Sequence, residues 1–212
     1  MKLLELFSGT GSVGKVFKES GWTVVSLDRD MDADIKTDIM DWDYKAMYEP
    51  GSFDVLWTSP PCTEYSVAKT VGVRKIAEAN QVVQRTLDII DYFQPTFWFL
   101  ENPETGLLKS QAMMQDKPFT DVDYCKYGMP YRKRTRIWNN VPNWTSQPLC
   151  KRDCDSMLEN KKRHKQVAQR GIVGENLDGR QNFRQDELYR IPAPLIQEIV
   201  FALEYNFEYI QP

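Results

Sequence analysis

A chain of 212 residues with a formal net charge of -3 at pH 7, 42% hydrophobic and 27% charged, is long enough for one domain with its own core and reads as soluble and globular. No run approaches the roughly 18 apolar residues of a membrane helix. Met1-Lys2-Leu3-Leu4-Glu5 passes straight into a strand-like segment rather than a signal-peptide h-region, so an intracellular, non-secreted protein is expected.

Leu3 to Phe7 is a short apolar run ending at the glycine-rich turn Ser8-Gly9-Thr10-Gly11-Ser12. A helical pattern follows from Val13 to Ser20 and stops at Gly21. A second strand, Trp22 to Leu27, closes on Asp28-Arg29-Asp30. Phe53 to Trp57 is a third strand, closed by Ser59-Pro60-Pro61. Lys75 to Phe93 carries Ile76, Val83, Leu87 and Ile90 at helical spacing and ends before Pro95. Thr96 to Leu100 reads as a buried strand closed by Glu101-Asn102-Pro103. This alternation predicts an α/β fold, a doubly wound and mostly parallel sheet whose ligand sites lie beyond the carboxyl ends of the strands. The pattern weakens after Tyr124, and Pro194 to Tyr205 reads as a final helix with an apolar stripe. The expected organisation is a catalytic domain over 1–140, a small irregular basic insertion over 141–185, and a C-terminal helix over 186–212 that packs back on the first unit.

The charge is unevenly placed. From Cys125 to Arg170 there are twelve Lys and Arg against Asp153, Asp155 and Glu159, leaving that stretch near +9 and the rest near -12. A basic segment on an acidic body suits a polyanionic partner, although a solvated charged loop has the same composition. The four cysteines, Cys62, Cys125, Cys150 and Cys154, are too few and too irregular for a disulfide framework. Cys150, Cys154 and the lone His164 have the element types of a zinc site. Their spacing fits poorly and a fourth ligand is missing, so no metal is expected.

Four motifs carry chemistry. In Phe7-Ser8-Gly9-Thr10-Gly11-Ser12 the glycines let the backbone approach a ligand, and the following helix start offers free amide donors. Asp28, at the end of the next strand, stands where an acid hydrogen-bonds a ribose. Together they suggest an adenosine-containing cofactor. Pro60-Pro61 restricts the backbone so that Cys62 is held with little freedom, as a thiolate nucleophile requires. Glu101, after Phe97-Trp98-Phe99-Leu100, is a carboxyl in apolar surroundings that is expected to donate a proton near pH 7. In Tyr131-Arg132-Lys133-Arg134-Thr135-Arg136, strand alternation would put Arg132, Arg134 and Arg136 on one face, towards a phosphate or the carbonyl edge of a base.

Taken in order, these motifs resemble those of the cytosine-C5 DNA methyltransferases, especially compact phage and viral members. The resemblance implies that Phe7, Ser8, Gly9, Thr10, Gly11, Asp28, Arg29, Asp38 and Pro61 surround S-adenosylmethionine. Asp38 would contact the adenine amino group. Arg29 stands where an aromatic often stacks on adenine, leaving Phe7 for that task. Cys62 would attack C6 of a cytosine flipped out of duplex DNA, and Glu101 would engage the base. Either Lys133 and Thr135 or Arg134 and Arg136 take the two positions of the arginine motif, and charge favours the arginines. The third residue of the glutamate motif is Pro103 where valine is usual, and Arg190-Ile191-Pro192-Ala193-Pro194-Leu195 lacks the usual asparagine. The recognition region, 141–185, is short for the family. At about 1–3 kcal/mol of discrimination per bidentate contact, it implies a recognition sequence of about two to four base pairs. A monomer is expected. RNA cytosine-C5 methylation and a non-catalytic nucleic-acid-binding relative are the alternatives. A dehydrogenase is disfavoured because Phe-x-Gly-x-Gly lacks the full dinucleotide glycine pattern.

Overall fold

The computed structural model describes residues 1–160, 162–166, 168 and 185–209. Its elements are β1 (Lys2–Leu6), α1 (Ser12–Glu19), β2 (Thr23–Asp28), β3 (Ile35–Lys36), α2 (Tyr44–Met47), β4 (Val55–Thr58), α3 (Ile76–Phe93), β5 (Phe97–Pro103), β6 (Phe119–Asp123), β7 (Arg134–Asn139), α4 (Gln185–Tyr189) and α5 (Ala193–Tyr209). The strands form one seven-stranded sheet in the order β3-β2-β1-β4-β5-β7-β6. β7 is antiparallel to both β5 and β6, and the other neighbouring pairs are parallel.

Strand alternation sorts the apolar side chains onto two faces. Leu3, Val55, Trp57, Phe97, Phe99 and Ile137 share one core with Val13 and Phe17 of α1 and with Leu195, Ile196, Ile199, Val200 and Leu203 of α5. Leu4, Leu6, Leu27, Leu56, Leu100 and Trp138 share the other with Val83, Leu87, Ile90 and Phe93 of α3. Each such buried side chain contributes about 1.5–3 kcal/mol from the apolar surface it removes from water, so both faces are firmly covered and the carboxyl ends of the strands are left to the loops. α3 ends at Gln94, whose left-handed backbone (φ 47°) and N–H, donating to the Ile90 carbonyl, close the last turn ahead of Pro95.

The main strands and helices fall where the sequence placed them, with small shifts at their ends. β3, the two-residue edge strand, and β6, with its alternating acids, were not anticipated. Val141 and Trp144 belong to the same core as α5, and the Trp144 indole N–H donates to Glu198. Packing therefore runs continuously through position 140, and α5 lies against α1 across the Phe17–Trp22 and Trp22–Phe207 ring contacts. Much of the expected recognition region, 161, 167 and 169–184, lies outside the described residues. Among the described residues, no helix is long and apolar enough to cross a membrane.

Candidate active site

The carboxyl ends of β1, β2, β4 and β5 open onto a cavity of about 650 Å³, in the range of small-molecule sites. Its lining includes Phe7, Ser8, Gly9, Thr10, Asp28, Arg29, Asp38, Pro61, Cys62 and Glu101. The residues assigned from three separate motifs thus meet at one place.

The glycine turn is built by left-handed backbone at Phe7 (φ 58°), Gly9 (φ 54°) and Gly11 (φ 66°). Phe7 takes this conformation despite its side chain, a strain of the kind that concentrates at ligand sites. The turn is tied down by Ser8 N–H to the Leu27 carbonyl at 3.1 Å and Gly11 N–H to the Ser8 carbonyl at 2.8 Å. Gly11 does not line the cavity. It is the N-cap of α1, where the left-handed turn launches the helix. Asp28 accepts three amide N–H groups, from Gly9 at 2.8 Å, Asp30 at 2.8 Å and Met31 at 2.9 Å, so its carboxylate holds the glycine turn against the end of β2. Asp38 accepts from the Met40 N–H at 2.9 Å and from the Arg29 guanidinium at 3.3 Å. Arg29 therefore spans the acids Asp30 and Asp38 at the rim.

Beneath the turn lies Glu5, which the sequence reading passed over. It is only 2% exposed, and its carboxyl accepts the Gly14 N–H at 3.1 Å. Burial pushes it up to about 7, although the Gly14 amide and nearby Lys18 act in the opposite direction. An acid interrupting the apolar run Leu3-Leu4-Glu5-Leu6-Phe7 was the available signal.

Cys62 follows the rigid Pro60-Pro61 pair. Its carbonyl accepts the Tyr65 N–H at 3.1 Å, and the Tyr65 carbonyl accepts the Leu107 N–H at 2.9 Å. The Asn102 side-chain amide donates to the Pro60 carbonyl at 2.9 Å. The strand end that carries Glu101 thus holds the loop that carries Cys62. Glu101, 7% exposed, accepts the Tyr124 hydroxyl at 3.2 Å and lies 4.0 Å from the Lys133 ammonium. Its surroundings are therefore polar on one side, not simply apolar as expected from Phe97 to Leu100. Burial, and next the charge of Glu101, push the Tyr124 phenol well up, which keeps it a proton donor to that carboxyl. Lys133 also donates to the Leu188 carbonyl at 3.1 Å and sits 5.1 Å over the Tyr124 ring.

Arg134 and Arg136 are not brought to the cavity. They project from the other face of β7, where the register sets Asp123 and Asp121 of β6 directly opposite. Arg134 makes a two-pronged pair with Asp123 at 3.0 and 2.7 Å, and Arg136 makes one with Asp121 at 2.8 and 2.8 Å. Charge favoured the arginines in the sequence, but the two acids of β6 claim that charge. Lys133, one residue before β7, reaches the cavity instead. Arg132 precedes the strand, so the expected run of three basic residues along one strand face does not form. Tyr189 and Ile191 also line the cavity, and the Ile191 N–H donates to Ser12 Oγ at 3.1 Å. The C-terminal segment therefore reaches the glycine turn without the family's usual asparagine.

Ser8 Oγ, Thr10 Oγ1 and Asn102 Oδ1 are buried without a hydrogen-bond partner among the described residues. Such groups are costly unless a ligand satisfies them, and all three belong to lining residues. The donor set suits a polar, adenosine-bearing ligand laid from the glycine turn to Asp28.

Strand order, glycine turn and cavity define the α/β Rossmann-like fold of the S-adenosylmethionine-dependent methyltransferases. A candidate DNA modification methyltransferase encoded within an E. coli prophage shares this fold, with a TM-score of 0.50 at 16% identity over 66% of this chain and 46% of that one. Residues 1–122 match the family model of the C-5 cytosine-specific DNA methylases. The "Probable DNA (cytosine-5)-methyltransferase" of Frog virus 3 (isolate Goorha) is 33% identical over 94% of this chain and 99% of its own length. The type II methyltransferase M.AgeI of Thalassovita gelatinovora is 26% identical over 63% of this chain and 38% of its own length. The chain belongs to the C-5 cytosine-specific DNA methylase family.

Proposed function

We propose that this protein methylates C5 of cytosine in DNA through a covalent Cys62 adduct, with S-adenosylmethionine as the donor. The observation that carries the reading is the convergence of Cys62, Glu101 and a glycine turn bearing two unsatisfied hydroxyls on one cavity, with Asn102 bonded to Pro60. Ser8, Thr10 and the turn amides would hold the amino-acid end of the donor, Asp28 the ribose, Asp38 the adenine amine, and Phe7 the adenine face. When bound there, the donor supplies an electrophilic methyl group on a sulfonium.

The target cytosine must leave the duplex, at a cost of a few kcal/mol. Cys62 thiolate forms a bond to C6, and the electron pair of the C5=C6 bond moves onto C5 and, by conjugation through C4, towards N3. Glu101, in its protonated form, gives or shares a proton at N3 and hydrogen-bonds the exocyclic amine, so charge does not accumulate on the base. Tyr124 and Lys133 hold the Glu101 side chain in place for this. C5 would take the methyl group as the methyl–sulfonium bond breaks to leave a thioether, N3 returns its proton to Glu101, the C5 proton leaves to a base, and the C6–S bond breaks as the C5=C6 bond re-forms and the thiolate is expelled. A thiol performs both nucleophilic and leaving roles near neutral pH, which a serine hydroxyl would do poorly.

The test is trapping. With labelled donor and duplex DNA containing 5-fluorocytosine, C5 cannot lose a proton, so the wild-type protein should remain bonded to DNA while Cys62→Ala forms no complex. Trapping on 5-fluorocytosine RNA but not on DNA would transfer the reading to RNA. Absence of a complex on either polymer, with donor binding intact, would overturn the covalent mechanism.

A further inference from the structure

Cys150, Cys154 and His164 lie within one stretch of sequence that offers no fourth ligand, and Cys125 lies well upstream of them. The fold supplies it. One ligand atom from each of the four residues lies within 4.8 Å of all the others. Cys125 stands in the short 3-10 turn Tyr124–Tyr127 that follows β6. Cys150 and Cys154 bracket a turn after β7. His164 is brought back by an isolated β-bridge to Met157, with Leu158 N–H bonded to the Arg163 carbonyl at 2.9 Å and Lys165 N–H to the Ser156 carbonyl at 2.8 Å.

We propose that these four side chains form a structural zinc site that fastens the basic segment after β7 to the β6 edge of the sheet. Three sulfurs and one imidazole are a standard closed zinc donor set, and Cys150-x-x-x-Cys154 has the spacing of a single chelating turn. Tetrahedral bonds of about 2.3 Å to sulfur and 2.0–2.1 Å to nitrogen imply sulfur-to-nitrogen edges of about 3.6 Å. Cys150 Sγ and His164 Nε2 are 3.6 Å apart. The turn itself is shaped around the sulfur. Arg152 adopts a left-handed backbone (φ 68°), and its N–H donates to Cys150 Sγ at 3.3 Å. An amide aimed at sulfur stabilises a thiolate more than a thiol. Zinc with three thiolates carries one net negative charge, and Lys126, Lys151, Arg152 and Arg163 come from the same stretches of chain.

A disulfide accounts for the cluster less well, because it would join two sulfurs and leave the third and the imidazole without a role. The site also answers a structural need. From residue 140 to 166 the described residues contain no helix or sheet strand, and an irregular segment with little core of its own is commonly held by a cross-link or a metal. The link leads inward as well. The Cys150 N–H donates to Asp123 at 2.9 Å, and Asp123 holds Arg134.

The experiment is metal analysis of the full chain, purified without a metal-binding tag, alongside cobalt substitution. The expected result is about one zinc per chain, which survives dialysis and is lost in Cys154→Ser and Cys125→Ser. The cobalt form should show thiolate charge-transfer absorption and the visible bands of a tetrahedral site. His164→Cys should keep the metal with stronger charge-transfer absorption. Cys62→Ala should keep it unchanged, because Cys62 lies in the cavity and not in the cluster. Chelation should lower the thermal unfolding temperature of the wild type but not of a folded Cys154→Ser protein. If Cys154→Ser does not fold, the wild-type cobalt spectrum and the His164→Cys comparison still decide the matter. Wild-type protein that takes up neither zinc nor cobalt while all four thiols are reduced overturns the proposal. A disulfide among Cys125, Cys150 and Cys154 in freshly isolated protein overturns it as well.

Discussion

Asn102 ties the strand end bearing Glu101 to the loop bearing Cys62, and replacing it separates positioning from chemistry. Its side-chain amide donates to the Pro60 carbonyl at 2.9 Å, and the residue is 1% exposed. Asn102→Ala leaves that carbonyl without its donor in a buried place, a cost of about 1–3 kcal/mol. Asn102→Asp should be worse, because a carboxylate oxygen then faces the carbonyl. A displacement of a reacting group by about 1 Å costs up to about 10²-fold in rate. We therefore expect the rate of covalent trapping on 5-fluorocytosine DNA to fall in the order wild type, Ala, Asp, by about tenfold and about a hundredfold. Donor binding, measured by calorimetry, should change much less than the trapping rate. Urea unfolding should report a loss of about 2 kcal/mol for the alanine variant. A folded Asn102→Asp protein that traps DNA at the wild-type rate would show that this bond does not position Cys62.

Glu5 gives a pH signature. Burial raises its folded-state carboxyl from the ordinary value of about 4.5 to about 7, so between those values the folded state holds a proton that the unfolded state has released. Stability is therefore lost as pH rises from about 4.5 to 7, by up to about 3 kcal/mol. Glu5→Gln keeps an acceptor for the Gly14 N–H without this penalty. Its stability relative to wild type in urea should climb across that window, and a constant difference from pH 5 to pH 8 would refute the buried-acid account. Lys133 and Arg134 should separate cleanly. Lys133→Ala should slow trapping by up to about 10²-fold with little change in unfolding, the scale for displacing a reacting group, here Glu101, by about 1 Å. Arg134→Ala should cost about 2 kcal/mol in urea unfolding, since Asp123 is buried while Arg134 is partly exposed. Equal stability losses for the two would argue against their division between cavity and β6.

The legible part of the site was the part written in contiguous sequence. Phe7 to Ser12, Asp28, Pro60 to Cys62 and Glu101 each sit at a strand end, and in a mostly parallel sheet the ends of β1, β2, β4 and β5 must share one edge. Knowing the strands was thus enough to bring these residues together. Glu5 could be seen as an anomaly but not explained, because its partner is an amide nine residues later on the helix above it.

What the sequence settled by itself was local. Apolar periodicity and breakers placed the main helices and strands, and motif order pointed to the family. Tertiary structure decided what depends on registry between distant segments. Arg134 and Arg136 turn away from the cavity because β6 offers Asp123 and Asp121 at matching positions, and charge along one strand cannot reveal its neighbour's acids. Cys125 joins Cys150, Cys154 and His164 for the same reason. Cys150 and Cys154 have a ligand spacing that can be read along the chain, but Cys125 comes from a separate segment, and only the folding of the chain brings all four within reach of one ion.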